Sequence, residues 1–338
     1  MDKKWNAKIF SVTDRNFEEL ALEIFRFQYN NSAIYRRFVQ ALQAEPVSVQ
    51  RLDQIPFLPI RFFKSHAVQS GEFEPKVIFE SSGITGSENS HHLIRDIALY
   101  EESFIKSFEM NYSPVNEYCI IGLLPSYIER KNSSLVYMAE KLIRLSGHAQ
   151  SGFYLDDFDK LISVINELEK RQQKTLLIGV TFALLDLAEK YAPDSSQEQL
   201  HNTIIIETGG MKGRRQEMIR QELHEYLKMK FRVNTIHSEY GMTELLSQAY
   251  SRDNGVFNCP PWMKVLVRDE EDPLLISVPR FQTVAPITGT INVIDLANIY
   301  SCSFIATDDV GKLYPGGSFE MLGRMDNSDL RGCSLMVM

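Results

Sequence analysis

Apolar residues return every third or fourth position over residues 14–29, where Phe17, Leu20, Ala21, Ile24, Phe25 and Gln28 fall near one stripe. With Thr13 and Asp14 ahead of it as caps, that pattern predicts an amphipathic helix. A second helix follows through Ile34, Tyr35, Phe38, Val39 and Leu42 and stops at Glu45-Pro46. Residues 55–64 hold too much proline and aromatic side chain for either regular period, so they read as an extended segment strapped across a core. Lys76-Val77-Ile78-Phe79 is short, apolar and β-branched, which predicts a buried strand that delivers the residues after it to a sheet edge; those residues show no structural periodicity.

From there strand and helix patterns alternate. Residues 118–124, 175–180 and 203–207 read as strands, and residues 133–145, 157–170, 182–191 and 215–228 as helices. Strand then helix, repeated, predicts an α/β fold with a mostly parallel sheet covered by helices. After residue 232 short strands are expected at 265–267, 274–278, 290–294 and 304–306. The expected organisation is one structural unit in three parts: N-terminal helices and entry segment (1–75), α/β core (76–232) and β-rich lobe (233–338). No internal repeat or low-complexity linker divides it.

Composition narrows the function classes. The 338 residues can bury a large core, and 44% apolar with 24% charged residues is the balance of a globular protein. A net charge of −8 argues against binding nucleic acid through overall charge. No apolar run is long enough to span a bilayer, and Met1-Asp2-Lys3-Lys4-Trp5 lacks the apolar core of a signal peptide, so a cytoplasmic location is expected. Cys119, Cys259, Cys302 and Cys333 are scattered without a CxxC pair, which predicts neither a disulfide framework nor a structural zinc site. The basic run from Lys212 to Arg232 is interleaved with Glu217, Glu222 and Glu225, as in a solvated helix face.

Candidate chemistry lies in five loops. Ser81-Ser82-Gly83-Ile84-Thr85-Gly86-Ser87 combines hydroxyls with glycines, so on its residues alone it is either a surface turn or an anion nest. It is not a Walker A loop, since no Gly-Lys-Ser/Thr follows. Glu207-Thr208-Gly209-Gly210 is a turn whose paired glycines would let a flat base lie on the backbone. In His237-Ser238-Glu239-Tyr240-Gly241-Met242-Thr243-Glu244, Thr243 either donates to a phosphate or caps a helix, and Glu244 could hold Mg²⁺. Thr307-Asp308-Asp309 offers acidic groups for ribose hydroxyls or forms an acidic turn, and Gly323-Arg324-Met325-Asp326 precedes Arg331-Gly332-Cys333.

The order of these loops, over roughly residues 55 to 335, resembles the adenylate-forming superfamily of acyl-CoA synthetases, peptide-synthetase adenylation domains and firefly luciferase. Ser81 to Gly86 is similar to its phosphate loop, Gly209-Gly210 to its adenine-facing loop, Tyr240-Gly241-Met242-Thr243-Glu244 to its Tyr-Gly-x-Thr-Glu motif, Thr307-Asp308-Asp309 to its Thr-Gly-Asp motif, and Gly323-Arg324-x-Asp326 to its hinge. Within it, the entry segment from Ile55 to His66 and the cysteine near the last residue look like LuxE-type acyl-protein synthetases. The resemblance implies the large N-terminal-type domain of these enzymes and use of ATP and Mg²⁺. It also implies activation of a fatty or other carboxylic acid as acyl-AMP, with transfer to Cys333 and then to a reductase or carrier protein; CoA as the external acceptor, or a non-catalytic nucleotide-binding role, are the alternatives.

On that basis Ser81, Ser82, Gly83, Thr85 and Gly86 would embrace the β- and γ-phosphates, Thr243 and Glu244 the α-phosphate and the metal. Gly209, Gly210, Tyr240 and Gly241 would contact the adenosine, Asp309 the ribose, and Arg324 the ribose or phosphate. Two departures stand out. No lysine ends the phosphate loop, where His91 or His92 either supplies charge or is an exposed loop residue, and no sequence corresponds to the relatives' mobile C-terminal domain with its catalytic lysine. On the residues alone Cys333 is either a nucleophile activated by nearby Arg331 or an apolar packing residue beside Leu335 and Val337.

Overall fold

The computed structural model describes residues 2–81, 89–124, 132–155, 157–191, 199–209, 218–269, 271–277 and 285–325. Its centre is a sheet in the spatial order Gly152–Phe153, Cys119–Leu123, Thr175–Gly179, Thr203–Glu207, His237–Tyr240, all parallel, closed by the antiparallel Ala249–Ser251. Both faces are covered, so successive residues of one strand enter different cores. Ile120, Leu176, Ile178 and Ile206 join a core with helices Ile97–Asn111 and Ser134–Ser146. Cys119, Ile121, Leu177 and Ile205 face a second core built by helices Phe158–Lys170, Thr181–Lys190 and Arg220–Phe231.

A second, mostly antiparallel sheet runs Val256–Phe257, Phe319–Arg324, Phe304–Leu313, Ile287–Asp295, Met263–Arg268, Ile276–Ser277. It is the β-rich part expected after residue 232, with the strands near 290 and 304 extending well beyond their expected ends. N-terminal helices Phe17–Asn31 and Ala33–Ala41 share the first core, where Phe25, Tyr35 and Phe57 surround Phe304. Gln28 is fully buried; its Nε2 donates to the carbonyls of Asn298 and Ile299, and its Oε1 accepts from the Ser303 amide.

Several expectations are corrected. The entry segment is not wholly irregular: Leu58–Pro59 pairs in parallel with Ile305–Ala306, and Phe62–Ser65 forms one helical turn. Proline at position 59 is tolerated because this strand lies at an edge. Val77–Glu80 belongs to a separate hairpin with His91–Ile94 rather than to the parallel sheet, and of its side chains only Phe79 is buried. The stretch after the phosphate-type loop is regular, continuing from that second hairpin strand into helix Ile97–Asn111, whose Asp96 cap accepts from the Ala98 amide. The helical stripe was obscured because Ser103 and Ser107 occupy buried positions beside Leu99, Tyr100, Phe104 and Phe108. A helix at Asp2–Phe10 was also not anticipated, and the helix expected from residue 215 begins at Arg220 in the described residues.

Candidate active site

Three sheets end at one place. Strand His237–Tyr240 points its C-terminal end toward the middle of Phe304–Leu313, and Thr203–Glu207 pairs in parallel beside it, so both end on the side of a parallel sheet where ligand crevices open. Tyr240 is buried, and its hydroxyl donates to Asp309 Oδ2 at 3.0 Å. Arg324 Nε donates to the other carboxylate oxygen at 2.8 Å. Asp309 is itself 4% exposed, whereas the Arg324 side chain is 73% exposed, so this pair sits at the crevice edge with its charge facing out. Asp309 further holds Arg324 protonated above the ordinary arginine range. The predicted residues Tyr240, Asp309 and Arg324 therefore meet, although 69 positions separate the first two.

Glu244 lies on the same rim. It is buried, which raises its pKa, while a hydrogen bond from Ser90 and the charges of Arg324 and Lys64 pull it back. Its backbone carbonyl accepts from Asn298 Nδ2 at 2.7 Å, and the carbonyl of Thr243 faces His92 Nδ1 at 2.8 Å. Ser81 and Ser90 close the foot of the phosphate-type loop, the Ser81 amide donating to the Ser90 carbonyl and the Ser90 amide to Ser81 Oγ. Ser82, Gly83, Thr85, Gly86, Gly210 and Cys333 lie outside the described residues.

Gly209 adopts φ +76°, a conformation that favours glycine, and a Cβ there would meet nothing within 4 Å. Its amide donates to Glu207 Oε1, which also accepts from Thr181 Oγ1, and its carbonyl accepts from the Thr181 amide. The turn is fixed from behind and open in front.

Sequence reasoning missed the residues that hold this arrangement. Asp295, fully buried, accepts from the amides of Leu246, Ser247 and Ala297 and from Ser247 Oγ, and so fixes the chain immediately after Glu244. Burial lifts its pKa to about 6 against those donors, leaving a carboxylate at neutral pH. His92 is not an exposed loop histidine: it is fully buried, at a distance from solvent that lowers its pKa to about 4, and its Nε2 lies 2.9 Å from Asn298 Oδ1. The only signal for it was the doubled histidine after the loop. Cys119, Cys259 and Cys302 are pushed up to about 11, about 12 and about 12 by burial, so none offers a thiolate at neutral pH.

Among the described residues no helix is long and apolar enough to cross a membrane. Nor, among them, is there a cluster of three or more His, Cys, Asp or Glu side chains that could hold a metal ion.

The fold is shared with solved adenylate-forming ligases. ATP-bound MatB from Rhodopseudomonas palustris superposes with TM-score 0.53 at 16% identity, over 75% of this chain and 49% of its own, so the chain spans about half the length of that relative. An open conformation of 2-hydroxyisobutyryl-CoA ligase with 2-HIB-AMP and CoA gives 0.64 at 12% identity, over 93% and 70%. The luciferase-like enzyme of the nonluminescent mealworm Zophobas morio gives 0.51 at 14%, over 77% and 60%. These likenesses establish the architecture, an α/β fold corresponding to the large N-terminal domain of such enzymes. No curated protein matches the sequence significantly. The family model of the LuxE acyl-protein synthetases matches residues 10–338, nearly the whole sequence, and the chain belongs to that family.

Proposed function

We propose that this protein is an ATP-dependent ligase that activates a carboxylic acid as acyl-AMP and passes the acyl group to its own Cys333, in the cytoplasm. The observation that carries the proposal is the meeting of Tyr240, Asp309 and Arg324 beside buried Glu244, in a member of the LuxE family. In the adenylation step a carboxylate oxygen of the acid attacks the α-phosphorus of ATP, and pyrophosphate leaves. Asp309 would take the ribose hydroxyls, Arg324 would face the ribose or phosphate, and the open face of Gly209 would take the adenine. Ser81 at the loop foot and Thr243 would donate to phosphate oxygens. Mg²⁺ bound at Glu244 would supply positive charge against the phosphates, which also favours the ionised form of a carboxyl that burial otherwise raises.

In the second step the Cys333 thiolate adds to the acyl carbon, its proton having gone to solvent; the acyl–oxygen bond breaks and AMP leaves. A fatty acid as the substrate and a reductase or carrier protein as the final acceptor complete the family-type scheme. Incubating the full chain with a panel of carboxylic acids, ATP, Mg²⁺ and labelled pyrophosphate should give acid-dependent exchange. Mass spectrometry should then find a thioester on Cys333. Absence of exchange with every acid would sink the adenylation step, and an adduct undiminished in Cys333→Ser would sink the acceptor assignment.

A further inference from the structure

Arg268 is not among the groups proposed to meet the nucleotide, yet its guanidinium reaches the strand that carries Asp309. Strands Ile287–Asp295 and Phe304–Leu313 pair regularly on either side of one gap, where Thr290 stands opposite Val310 and Asn292 opposite Ala306. Within that gap Ile291 alone faces three residues, Thr307, Asp308 and Asp309. The three form a bulge, a device that bends a strand and re-aims its side chains. It coincides with the acidic motif, and on the following strand Asp309 is paired with Arg324.

A bulge takes backbone groups out of the ladder, and buried ones must find partners elsewhere. The Asp308 carbonyl accepts from the Met325 amide at 2.8 Å, and the Asp309 amide donates to Thr307 Oγ1 at 3.1 Å. Thr307 Oγ1 in turn donates to the Ile291 carbonyl at 2.8 Å. Arg268 supplies the rest: Nη2 donates to the Thr307 carbonyl, and Nη1 donates to the Ile291 carbonyl at 3.0 Å and to Asn292 Oδ1 at 2.6 Å. Arg268 ends strand Met263–Arg268, which pairs with Ile287–Asp295 and is separated by it from Phe304–Leu313. Its side chain therefore spans the intervening strand and ties both sides of the bulge together. Thr307 and Asn292 are buried, so the planar guanidinium fork stands where solvent does not reach.

We infer that Arg268 is a positioning residue for nucleotide binding, holding the bulge at 307–309 in the shape that presents the Asp309 carboxylate to the ribose hydroxyls. This rests on the proposed ribose role of Asp309. The Tyr240 hydroxyl and Arg324 Nε fix the carboxylate at its tip, and Arg268 fixes the backbone from which it projects. Without the fork, the Thr307 carbonyl must turn to find another donor. That turn moves Thr307 Oγ1, which holds the Asp309 amide, and so shifts Asp309 itself.

The test uses the full-length protein and calorimetric titration, with no acid present, of ATP and of dideoxy-ATP, which lacks both ribose hydroxyls. Wild type should bind ATP the more tightly by about tenfold, and Asp309→Ala should remove that preference. Arg268→Lys keeps the charge but not the fork, so it should weaken ATP by about the same factor and dideoxy-ATP by less than about twofold. Combined with Asp309→Ala it should cost ATP less than about twofold more, because both changes act on one contact. An arginine that served the fold alone would weaken both nucleotides alike and add to Asp309→Ala; either result overturns the assignment, as does a full preference for ATP in Arg268→Lys. Asn292→Ala removes the acceptor that steers Nη1, and its own Nδ2 has no partner to lose, so it should keep the fold and lose part of the preference. If thermal unfolding finds Arg268→Lys unfolded, Asn292→Ala decides, and an intact preference there overturns the assignment. A preference that depends on both Asp309 and Arg268, without pyrophosphate exchange for any acid, leaves Arg268 as assigned while acid activation fails. A wild type with no preference overturns the ribose role of Asp309 and the assignment together.

Discussion

Asp295→Ala is the sharpest test of how the site is held. The wild-type carboxylate accepts from three backbone amides, Leu246 at 2.7 Å, Ser247 at 3.0 Å and Ala297 at 3.1 Å, and from Ser247 Oγ at 2.6 Å. Alanine removes all four acceptor contacts in a place with no exposure. Ser247 Oγ can turn to Ser103 Oγ, 3.0 Å away, so the loss falls on the three amides. At about 1–2 kcal/mol for each stranded donor, the variant should lose about 3–6 kcal/mol, a large share of the 5–15 kcal/mol typical of a folded domain. Urea unfolding followed by tryptophan fluorescence measures it, with Trp262 reporting directly because its indole N–H donates to Ser103 Oγ in the same cluster. Asp295→Asn keeps one oxygen and should fall between. Because Leu246 and Ser247 follow Glu244, KM for ATP in the exchange assay should rise in Asp295→Asn even where the protein is folded. A loss below about 1 kcal/mol in Asp295→Ala with unchanged KM would refute the idea that this carboxylate organises the Thr243–Glu244 turn.

Two further outcomes are expected. Gly209→Ala meets no atom within 4 Å but must adopt φ +76°, so it should lose about 1–2 kcal/mol of stability through the backbone alone, while its new methyl on the open face raises KM for ATP by a larger factor; denaturation beside exchange kinetics separates the two. His92, His224 and His237 are each lowered to about 4, chiefly by burial, so below pH 6.5 the unfolded chain binds protons that the folded chain does not, and stability falls as pH drops from 6.5 toward 4. Glu239 at about 8 and Asp295 at about 6 oppose this, being protonated in the fold at pH values where the unfolded chain has released them. His224→Gln should therefore reduce the slope of stability against pH between 4.5 and 6 by about 1.4 kcal/mol per unit, and an unchanged slope in pH-dependent denaturation would contradict the neutral buried state.

What could be read in advance was whatever lies close in sequence. The strands at Cys119–Leu123, Thr175–Gly179 and Thr203–Glu207 were legible because burial on both faces makes them continuous apolar runs, and the helices between them because each keeps one polar side. His237–Tyr240 is equally buried but polar throughout, and its strand character comes from pairing with Ile206 and Glu207, which no local pattern encodes. The loop chemistry was legible for the same reason the motifs are short: Tyr240, Thr243 and Glu244 fall within one turn of chain. Their supports were not, since His92 meets Thr243 across 151 positions and Asn298 across 206, and Asp295 meets Leu246 across 49.

Those supports act on backbone rather than on the motif side chains, which is why the motif alone says little about how firmly the site is set. His92 faces two acceptors, the Thr243 carbonyl and Asn298 Oδ1. A neutral imidazole has one N–H, so it satisfies one of them, and only the imidazolium serves both. Turning the Asn298 amide to offer a donor to His92 would take Nδ2 away from the Glu244 carbonyl at 2.7 Å. Burial nevertheless keeps the ring neutral down to about pH 4. One hydrogen bond in this chain is therefore always short of a proton at neutral pH, and the chain runs from the strand after the phosphate-type loop, through Asn298, to the residue proposed to carry the metal. The peptide carbonyls of Thr243 and Glu244 are held by a single ring and a single amide, so a small shift of His91–Ile94 reaches both through two side chains. The stiff contact is Asp295, with its four donors, one step further along; the softer one is His92, on the strand that follows the loop proposed to take the nucleotide's phosphates.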